Sequence, residues 1–325
     1  MSEIDIKEND IYQLDTELLE ILLKDRTTGN TIIWATDNYA SRGVGYRFFD
    51  HITVAAITGY HGKVIKPRTE KSKREQLSRI RNKAEVFTPS WICNAQNNLV
   101  DAAWFGRRGV FNTERGKNWA TRRTAIPFPT SDGKTWQDYV LANRMEISCG
   151  EAPYLASRYD TVTGEAIAVQ RRIGLLDRKL RIVSENAVNE QEWYEFAKRA
   201  YQSIYAFDWQ GDNVLLAREN LLFTFSDFYV ERFCIPPIME YLFEIAEILS
   251  WNVWQMDGLK LVIPESCKRI PKMQISLFEE DEPTEECPGC AKNARNLHTG
   301  QYCKIRDWEV GKTILFKDLL QEDEA

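Results

Sequence analysis

At residues 146–155 the chain reads EISCGEAPYL, and at residues 204–221 it reads IYAFDWQGDNVLLARENL. The first stretch predicts that a strand, residues 141–149, enters a tight turn at Gly150. The second predicts a strand that ends near Asp208 and leads directly into a helix. Strands and helices that alternate in this order are typical of parallel βαβ units. The two stretches therefore predict an α/β fold with a Rossmann-like parallel sheet.

The remaining elements follow from hydrophobic spacing. Apolar residues three and four apart predict helices, and short β-branched or aromatic runs predict strands. The predicted helices span residues 11–24, 190–204, 213–233 and 238–251, and the β-prone stretches lie at 30–39 and 52–60. Composition divides the chain into a helical N-terminal region 1–80, an α/β domain 81–265, an acidic linker 266–286, and a Cys/His segment with a tail, 287–325.

Two local clusters of basic residues contrast with the net charge of −6 over 325 residues. The negative total argues against a surface that coats nucleic acid uniformly, but attraction to phosphate depends on how charge is distributed. Residues 63–83, rich in Lys and Arg, predict either a solvated helix face or a phosphate-contacting segment. A second cluster suits either nucleic-acid contact or a core with charged loops. It consists of Arg107, Arg108, Arg115, Lys117, Arg122 and Arg123, interleaved with Trp104, Phe111 and Trp119.

The sequence predicts neither membrane insertion nor secretion. No apolar run approaches the ~20 residues that a membrane-spanning helix needs. The acidic N-terminus lacks the basic-then-apolar order of a signal peptide. The cysteines number seven, and Cys93, Cys149, Cys234 and Cys267 stand alone, which argues against a secreted disulfide framework. We therefore expect a cytoplasmic protein with no membrane partner.

The turn at Gly150 suits a nucleoside cofactor. Such a cofactor lies across the carboxyl ends of strands in an open parallel sheet, where small residues allow close backbone approach. Residues 149–152 read CGEA after a β-like stretch, and Asp208 follows the next strand, in position for the ribose hydroxyls. The alternative for Asp208 is an ordinary helix N-cap.

Taken together, these residues resemble the motifs of a known family. Lys83–Pro89 reads KAEVFTP ahead of the turn, and Asp257 lies in NVWQMDGL after it. The set resembles the gamma arrangement of class I S-adenosylmethionine-dependent DNA adenine-N6 methyltransferases, in particular small modification (M) subunits of restriction–modification systems. The resemblance implies that residues 87–89 and the turn contact the methionine end, that Asp208 binds the ribose, and that Asp257 binds the adenine amino group. The implied cofactor-binding set is Phe87, Thr88, Pro89, Glu146, Cys149, Gly150, Asp208, Trp209 and Asp257.

The chain departs from the family pattern at two positions in the turn. Ala152 stands where the family has its second Gly, and Ile147 stands where it has Pro. For Asp257 an alternative is a turn acid before Gly258. For Thr88 and its neighbours the alternative is a plain turn that enters a helix at Ser90.

The base-binding tetrapeptide of the family is missing. In the family an Asp or Asn, two prolines and an aromatic residue hold the flipped adenine. The Pro236-Pro237 pair here is flanked by Ile235 and Ile238, so we interpret it as preceding a helix. Either a second methyltransferase chain supplies the tetrapeptide, or the chain is an inactive remnant. The implied partners are DNA, that second chain, and a restriction or specificity subunit. The competing hypothesis is a non-catalytic DNA- or partner-binding protein.

The C-terminal segment contains a metal-ligand spacing. Cys287, Cys290, His298 and Cys303 form the pattern C-x2-C-x7-H-x4-C. Tetrahedral zinc takes thiolates from a short knuckle and a second pair of ligands returned by a loop. Four protein ligands would fill the shell, so we predict a structural zinc ion. The alternative is a set of unlinked reduced thiols.

Overall fold

The computed structural model describes residues 8–83, 88–129, 133–271 and 284–320, which form helices and small sheets. The helices are α1 (Glu8–Leu14), α2 (Thr16–Leu23), α3 (Val54–Ile57), α4 (Lys73–Lys83), α5 (Ser90–Phe105), α6 (Trp136–Leu141), α7 (Leu175–Asn186), α8 (Glu190–Gln202), α9 (Gly211–Phe233), α10 (Met239–Asn252) and α11 (Pro288–Lys292). In the described part of the chain, no helix combines the length and apolar character needed to cross a membrane.

Within the described residues, the strands form four separate sheets. They are β1 (Asn112–Arg115), β2 (Asn118–Thr121), β3 (Arg144–Ile147), β4 (Ile204–Asp208), β5 (Val253–Gln255), β6 (Ile270–Pro271), β7 (Thr284–Glu285), β8 (Lys304–Asp307) and β9 (Lys312–Leu315). The pairs β1–β2, β6–β7 and β8–β9 are antiparallel.

A parallel sheet of order β3-β4-β5 lies at the centre of the α/β part. Helices α7 and α8 connect β3 to β4, and α9 and α10 connect β4 to β5, as parallel neighbours require. Glu146 is level with Ala206, and Asp208 is level with Gln255. The predicted parallel sheet is therefore present. Its three described strands, β3, β4 and β5, have their carboxyl ends on the same side of the sheet.

The helices around this sheet agree with the hydrophobic spacing. Helices α8, α9 and α10 cover the spans predicted from residues 190, 213 and 238 onward. Helix α9 ends at Phe233, its C-cap Cys234 has a left-handed φ of 59°, and Pro236-Pro237 separates it from α10. The interpretation of that proline pair as preceding a helix is confirmed.

Two apolar clusters cover the two faces of the sheet. On one face, Ile204, Ala206 and Val253 belong to the large core that the helices share. On the other face, a second cluster joins Phe207 and Trp254 to residues of the C-terminal segment, including Ile305 and Phe316. Backbone bonds reinforce this contact, because the amide of residue 263 donates to residue 301 and that of residue 303 donates to residue 261. The C-terminal segment is therefore part of the sheet's packing.

The N-terminal region differs from the sequence prediction in two ways. The helix predicted over 11–24 is broken at Asp15, whose carboxylate accepts the amide of Glu17 and starts α2. The strands predicted within 30–39 and 52–60 are wrong, because the first segment makes only isolated bridges and the second contains the short helix α3. Their backbone is satisfied elsewhere: the Gln255 side chain bonds both the N–H and the C=O of Ile33, at 3.0 and 2.8 Å. A β-prone segment becomes a strand only when another strand is adjacent.

Arg218 ties these layers together from the middle of α9. It is completely buried, and its guanidinium donates to backbone carbonyls of residues 22, 24, 250 and 253. These carbonyls belong to the ends of α2 and α10 and to β5. Five fixed donors make arginine suited to joining several backbone ends at once.

Candidate functional site

The loop after β3 has an unusual backbone. Ser148, Gly150 and Ala152 all have positive φ, at 51°, 54° and 58°. A side chain costs free energy in this region, on the order of 1 kcal/mol per residue, and such conformations cluster at functional sites. The strained turn stands at the carboxyl end of the parallel sheet, where the sequence predicted a ligand.

Glu146 lies under this turn at the end of β3. Its carboxylate accepts the amides of Tyr154 and Leu155, at 3.3 and 3.1 Å. Burial raises the pKa of Glu146 to about 8, assisted by the charge of Asp208 and opposed by the two amide bonds. Glu146 therefore shapes the turn by holding its far end against β3.

Asp208 directly contacts the turn from the neighbouring strand. Its Oδ2 accepts the amide of Gly150 at 2.9 Å, and its Oδ1 accepts the amide of Gln210 and the side-chain amide of Asn213. The N-cap position of α9 is Gln210, so Asp208 is not the N-cap itself. The structure thus brings Glu146, Gly150 and Asp208 together, as the sequence predicted.

Cys149 and Trp209 flank these residues in different surroundings. Cys149 is buried, its amide donates to the carbonyl of Phe207 at 2.9 Å, and burial raises the pKa of its thiol. Trp209 is half-buried, and its indole N–H donates to the carbonyl of Ala35 at 3.0 Å. Cys149 therefore supports the turn, while Trp209 fixes the N-terminal region beside it.

The segment at Thr88 and Pro89 approaches the same turn. Burial raises the pKa of the Tyr154 phenol and the neighbouring Thr88 side chain opposes this shift; the amide of the same Tyr154 binds Glu146. The carbonyl of Thr88 also accepts Thr161 Oγ1 at 3.0 Å, and Pro89 immediately precedes α5. Phe87 lies outside the described residues. Thr88 is therefore near the predicted cofactor turn despite its distance in sequence.

Asp257 occupies a turn of its own beyond β5. Its Oδ1 accepts the amides of Leu259 and Lys260, at 3.0 and 3.1 Å, and Lys260 Nζ lies 3.6 Å from its Oδ2. These contacts support the turn-acid alternative. Asp257 shares none of these hydrogen bonds with Glu146 or Asp208.

A buried ionic cluster, which the sequence pattern does not predict, lies next to this site. Asp212, in the first turn of α9, accepts Tyr39 Oη at 2.7 Å and is paired with Arg79 of α4. Lys71 Nζ lies 3.8 Å from the same carboxylate. Part of the basic segment 63–83 is therefore internal. This differs from both sequence predictions for the segment, a solvated helix face and a phosphate-contacting segment. Only the tertiary fold brings Asp212 to these cations.

The C-terminal segment contains a Cys3His cluster that could hold a metal ion. Ligand atoms of Cys267, Cys287, Cys290 and His298 all lie within 4.8 Å of one another. His298 Nδ1 is 3.5 Å from the sulfur of Cys267 and 3.7 Å from those of the other two cysteines. Thiolate and imidazole are the donor set of tetrahedral structural sites.

Cys303 is not a member of the cluster, so this predicted ligand is wrong. It is completely buried in the second apolar cluster, with its sulfur 3.4 Å from the carbonyl oxygen of Gln255. Cys267 takes its place. Cys267 stands alone in the predicted acidic linker, far from the CxxC pair, so its spacing does not mark it as a ligand. Residues 272–283 of that linker lie outside the described residues.

Two glycines make the cluster compact. A Cβ at Gly289 would lie 2.5 Å from His298 Nδ1, and a Cβ at Gly300 would lie 3.1 Å from the sulfur of Cys267. The amide of Thr299 donates to the sulfur of Cys287 at 3.2 Å. Burial raises the pKa of Cys287, but hydrogen bonds led by those from Thr299 outweigh it and lower that pKa to about 5. The loop is therefore arranged to favour a thiolate.

The second basic cluster is divided by the fold. Trp104 and Phe111 pack in the core against Phe105 and Tyr139, as the core-and-loops alternative predicted. Trp119 is different, because it lies half-buried on the β1–β2 hairpin and lines two surface pockets.

Comparisons with protein-family models, curated proteins and solved structures give no match to this chain.

Proposed function

We propose that this chain is the S-adenosylmethionine-binding subunit of a DNA adenine-N6 methyltransferase from a restriction–modification system. A partner chain would supply the base-binding tetrapeptide. One observation carries the proposal: parallel strands β3 and β4 place Glu146, the strained turn 148–152 and Asp208 at one sheet edge, with Gly150 bonded to Asp208 at 2.9 Å. An acid beside a small-residue turn at the carboxyl ends of parallel strands suits a nucleoside.

The residues around Asp208 fit such a ligand in their donor and acceptor chemistry. The side-chain oxygen of Asn213 is buried beside Asp208 and has no hydrogen-bond partner among the described residues. Buried acceptors are normally satisfied, so this oxygen is available to a hydroxyl donor. S-adenosylmethionine would supply the activated methyl group. Asp208 would accept ribose hydroxyls, and the turn at Gly150 would approach the methionine end.

An open sheet edge supports the need for a partner chain. Within the described residues β3 pairs only with β4, and Met145 and Ile147 are 41% and 69% exposed. Alternate residues of a parallel strand direct their peptide groups to opposite sides, so those of Met145 and Ile147 face away from β4. Parallel sheets seldom leave such an edge uncovered. A strand of the partner chain would complete the sheet beside the cofactor turn.

The second candidate function is a non-catalytic protein with a degenerate cofactor fold that binds DNA or a partner. The hydrogen bonds of Asp208 and Asp257 favour it. Asp208 already accepts three protein donors, and Asp257 accepts two amides of its own turn. In this function both acids would be structural.

We also propose zinc as the metal of the Cys3His cluster. Four protein ligands leave no open position, so the ion would be structural. It would hold the loop 287–300 against Cys267 and so secure the C-terminal segment on the sheet. Elemental analysis of the purified protein tests this, with one zinc per chain expected; a metal-free protein that is fully folded would refute it.

Cofactor binding separates the two candidate functions. Thermal unfolding with and without S-adenosylmethionine should show a higher Tm with ligand, because ligand that binds only the native state stabilises it. Asp208→Asn should abolish the shift, while Glu114→Gln, an exposed change on the β1–β2 hairpin, should keep it. Absence of a shift in the unaltered protein at millimolar cofactor would favour the non-catalytic function.

Methyl transfer to DNA tests the partner requirement. The chain alone should transfer no labelled methyl group from S-adenosylmethionine to DNA, and the chain with the product of the neighbouring gene should do so. Activity of the chain by itself would contradict the split-enzyme proposal.

A further inference from the structure

A groove made of two pockets that share lining residues lies beside the β1–β2 hairpin. One part of it, about 740 Å³ in volume, lies between the hairpin, the segment at Val169–Arg171 and the sides of α7 and α9. An adjoining part of about 410 Å³ continues to Pro89 and Ser90. Trp119 and Arg171 line both parts, and we call the whole the Trp119 groove.

The charge of the larger part of the groove is opposite to that of the chain, while the smaller part has two cations, Lys117 and Arg171, and two acids, Asp160 and Glu165. The larger part is lined by five arginines and two glutamates, although the net charge of the protein is −6. The glutamates are already engaged, since Glu185 pairs with Arg181 and Glu231 accepts from Gln170. The arginines are Arg122, Arg123, Arg171, Arg181 and Arg232.

Some of these arginines are available to a ligand. Arg123 and Arg232 are exposed and form no ion pair within the described residues. Lys117, exposed at the hairpin turn, lines the smaller part. Exposed cations concentrated in a concave surface attract a polyanion, and the planar guanidinium matches phosphate.

Trp119 adds an aromatic surface between the two parts. Its indole N–H donates to the carbonyl of Arg171 at 2.8 Å, and the Arg171 guanidinium lies 5.4 Å from the ring centroid. Val169 and Phe228 provide an apolar wall beside it. A fixed aromatic ring with arginines along the backbone path is the arrangement on which unpaired bases stack.

The groove also leads toward the cofactor turn. Its smaller part ends at Pro89, Ser90 and Asp160, and the Asp160 carboxylate accepts the Ser90 amide at 2.8 Å. The adjacent Thr88 neighbours the side chain of Tyr154, whose amide binds Glu146. A strand held in the groove would therefore pass close to the predicted methyl donor.

We infer that the Trp119 groove binds a single strand of DNA, with its phosphates on the arginines and a base against Trp119. The choice of DNA as the polyanion rests on the proposed function. The groove thus holds the strand separated from its complement and directs it toward Thr88 and Pro89.

Fluorescence anisotropy with a labelled single-stranded oligodeoxynucleotide tests this inference. The double variant Arg123→Glu/Arg232→Glu should weaken binding at least tenfold at low salt, and it should make the affinity less dependent on salt concentration. Trp119→Ala should weaken binding roughly tenfold through lost stacking. Arg42→Glu, a change of an exposed residue outside the groove lining, should leave the affinity within about twofold.

Three results would overturn the inference: unchanged affinity in both groove variants, equal loss in Arg42→Glu, or tighter binding of the matching duplex or single-stranded RNA. Circular dichroism and Tm show whether each variant is folded. The S-adenosylmethionine thermal shift of the same variants separates the two proposals. If the groove variants keep both the S-adenosylmethionine thermal shift and normal oligonucleotide binding, only the groove inference is refuted. If the groove variants lose oligonucleotide binding and no protein shows the thermal shift, only the cofactor proposal is refuted.

Discussion

Single residues decide what the C-terminal cluster can bind. Cys267 precedes the Cys287–His298 loop and Cys303 follows it. Of these two cysteines, only Cys267 places its sulfur near His298. Cys303 is completely buried against Phe207 and Trp254. These two residues of the same type therefore have different roles, and substitution of each one separately distinguishes the metal ligand from the core residue.

The ligand assignment predicts opposite metal contents for two variants. Cys267→Ala should reduce bound zinc from one per chain to well below half, because three ligands leave the shell incomplete. Cys303→Ala should keep one zinc per chain, although the lost packing should cost about 1–2 kcal/mol of stability. Elemental analysis and chemical unfolding measure both quantities. Loss of zinc from Cys303→Ala with retention in Cys267→Ala would contradict the assignment.

At the scale of elements, a buried ion cluster fixes α4 against the start of α9. Asp212 is completely buried between Arg79, Lys71 and Tyr39. Burial raises the pKa of Asp212, but the two cations outweigh it and lower the pKa from 3.8 to about 2. The ionised carboxylate is therefore favoured in the folded state.

This cluster gives stability a defined acid dependence. The contribution of Asp212 is present above its unfolded pKa of 3.8 and is lost as the pH falls toward 2. Asp212→Asn should destabilise the protein by about 3–5 kcal/mol at pH 7, because it leaves buried cations without an anion. The difference from the unaltered protein should narrow between pH 4 and 2. Urea unfolding across this range measures it, with the exposed Asp318→Asn as control. A difference independent of pH would contradict the ionic role.

The open edge of β3 is the second feature at this scale. Ile147 is 69% exposed there, so a charge can be introduced at little cost to the isolated chain. Ile147→Asp should leave Tm nearly unchanged and weaken association with the proposed partner chain at least tenfold. Val188→Asp, at an 81% exposed position between α7 and α8, should affect neither. Calorimetric titration of the two chains measures this. Unchanged affinity of Ile147→Asp would exclude this edge as the docking surface.

At the scale of the whole molecule, the Cys3His cluster and the sheet share one packed unit. Residues 261–263 and 301–303 exchange backbone hydrogen bonds, and Tyr302 Oη accepts the amide of His298 at 2.8 Å. Gln301 and Lys304 also bond Thr27 in the N-terminal region. Disturbance of the cluster should therefore reach the core.

Metal removal tests this connection. A chelator should lower Tm by several degrees in the main unfolding transition. A metal that binds only the native state stabilises every part of the protein that unfolds in the same transition as the metal site. Added zinc should restore Tm, and magnesium should not. Differential scanning calorimetry measures the effect. A main transition that is indifferent to the chelator would show that the cluster unfolds independently of the sheet.

The agreement between sequence and structure depends on the range of the interaction. Helices α8, α9 and α10 and strands β3 and β4 follow from local patterns, because apolar periodicity and chain order specify them. The β-prone segment near Ile33 did not become a strand, since its partner is a Gln255 side chain more than 200 residues away, and the β-prone segment 52–60 contains the short helix α3. Cys267 was missed for the same reason: nothing in its neighbourhood marks it as a ligand.

The sequence by itself determined a parallel βαβ arrangement, the turn at Gly150 beside Asp208, and a CxxC-and-histidine knuckle. These features depend on residues close together in the chain or on strand order. The tertiary structure alone decided that Cys267 completes the cluster, that Asp212 neutralises Arg79 and Lys71, that Asp257 serves its own turn, and that Trp119 lies in a basic groove. Each of these depends on which distant side chains and backbone groups meet once the core has packed.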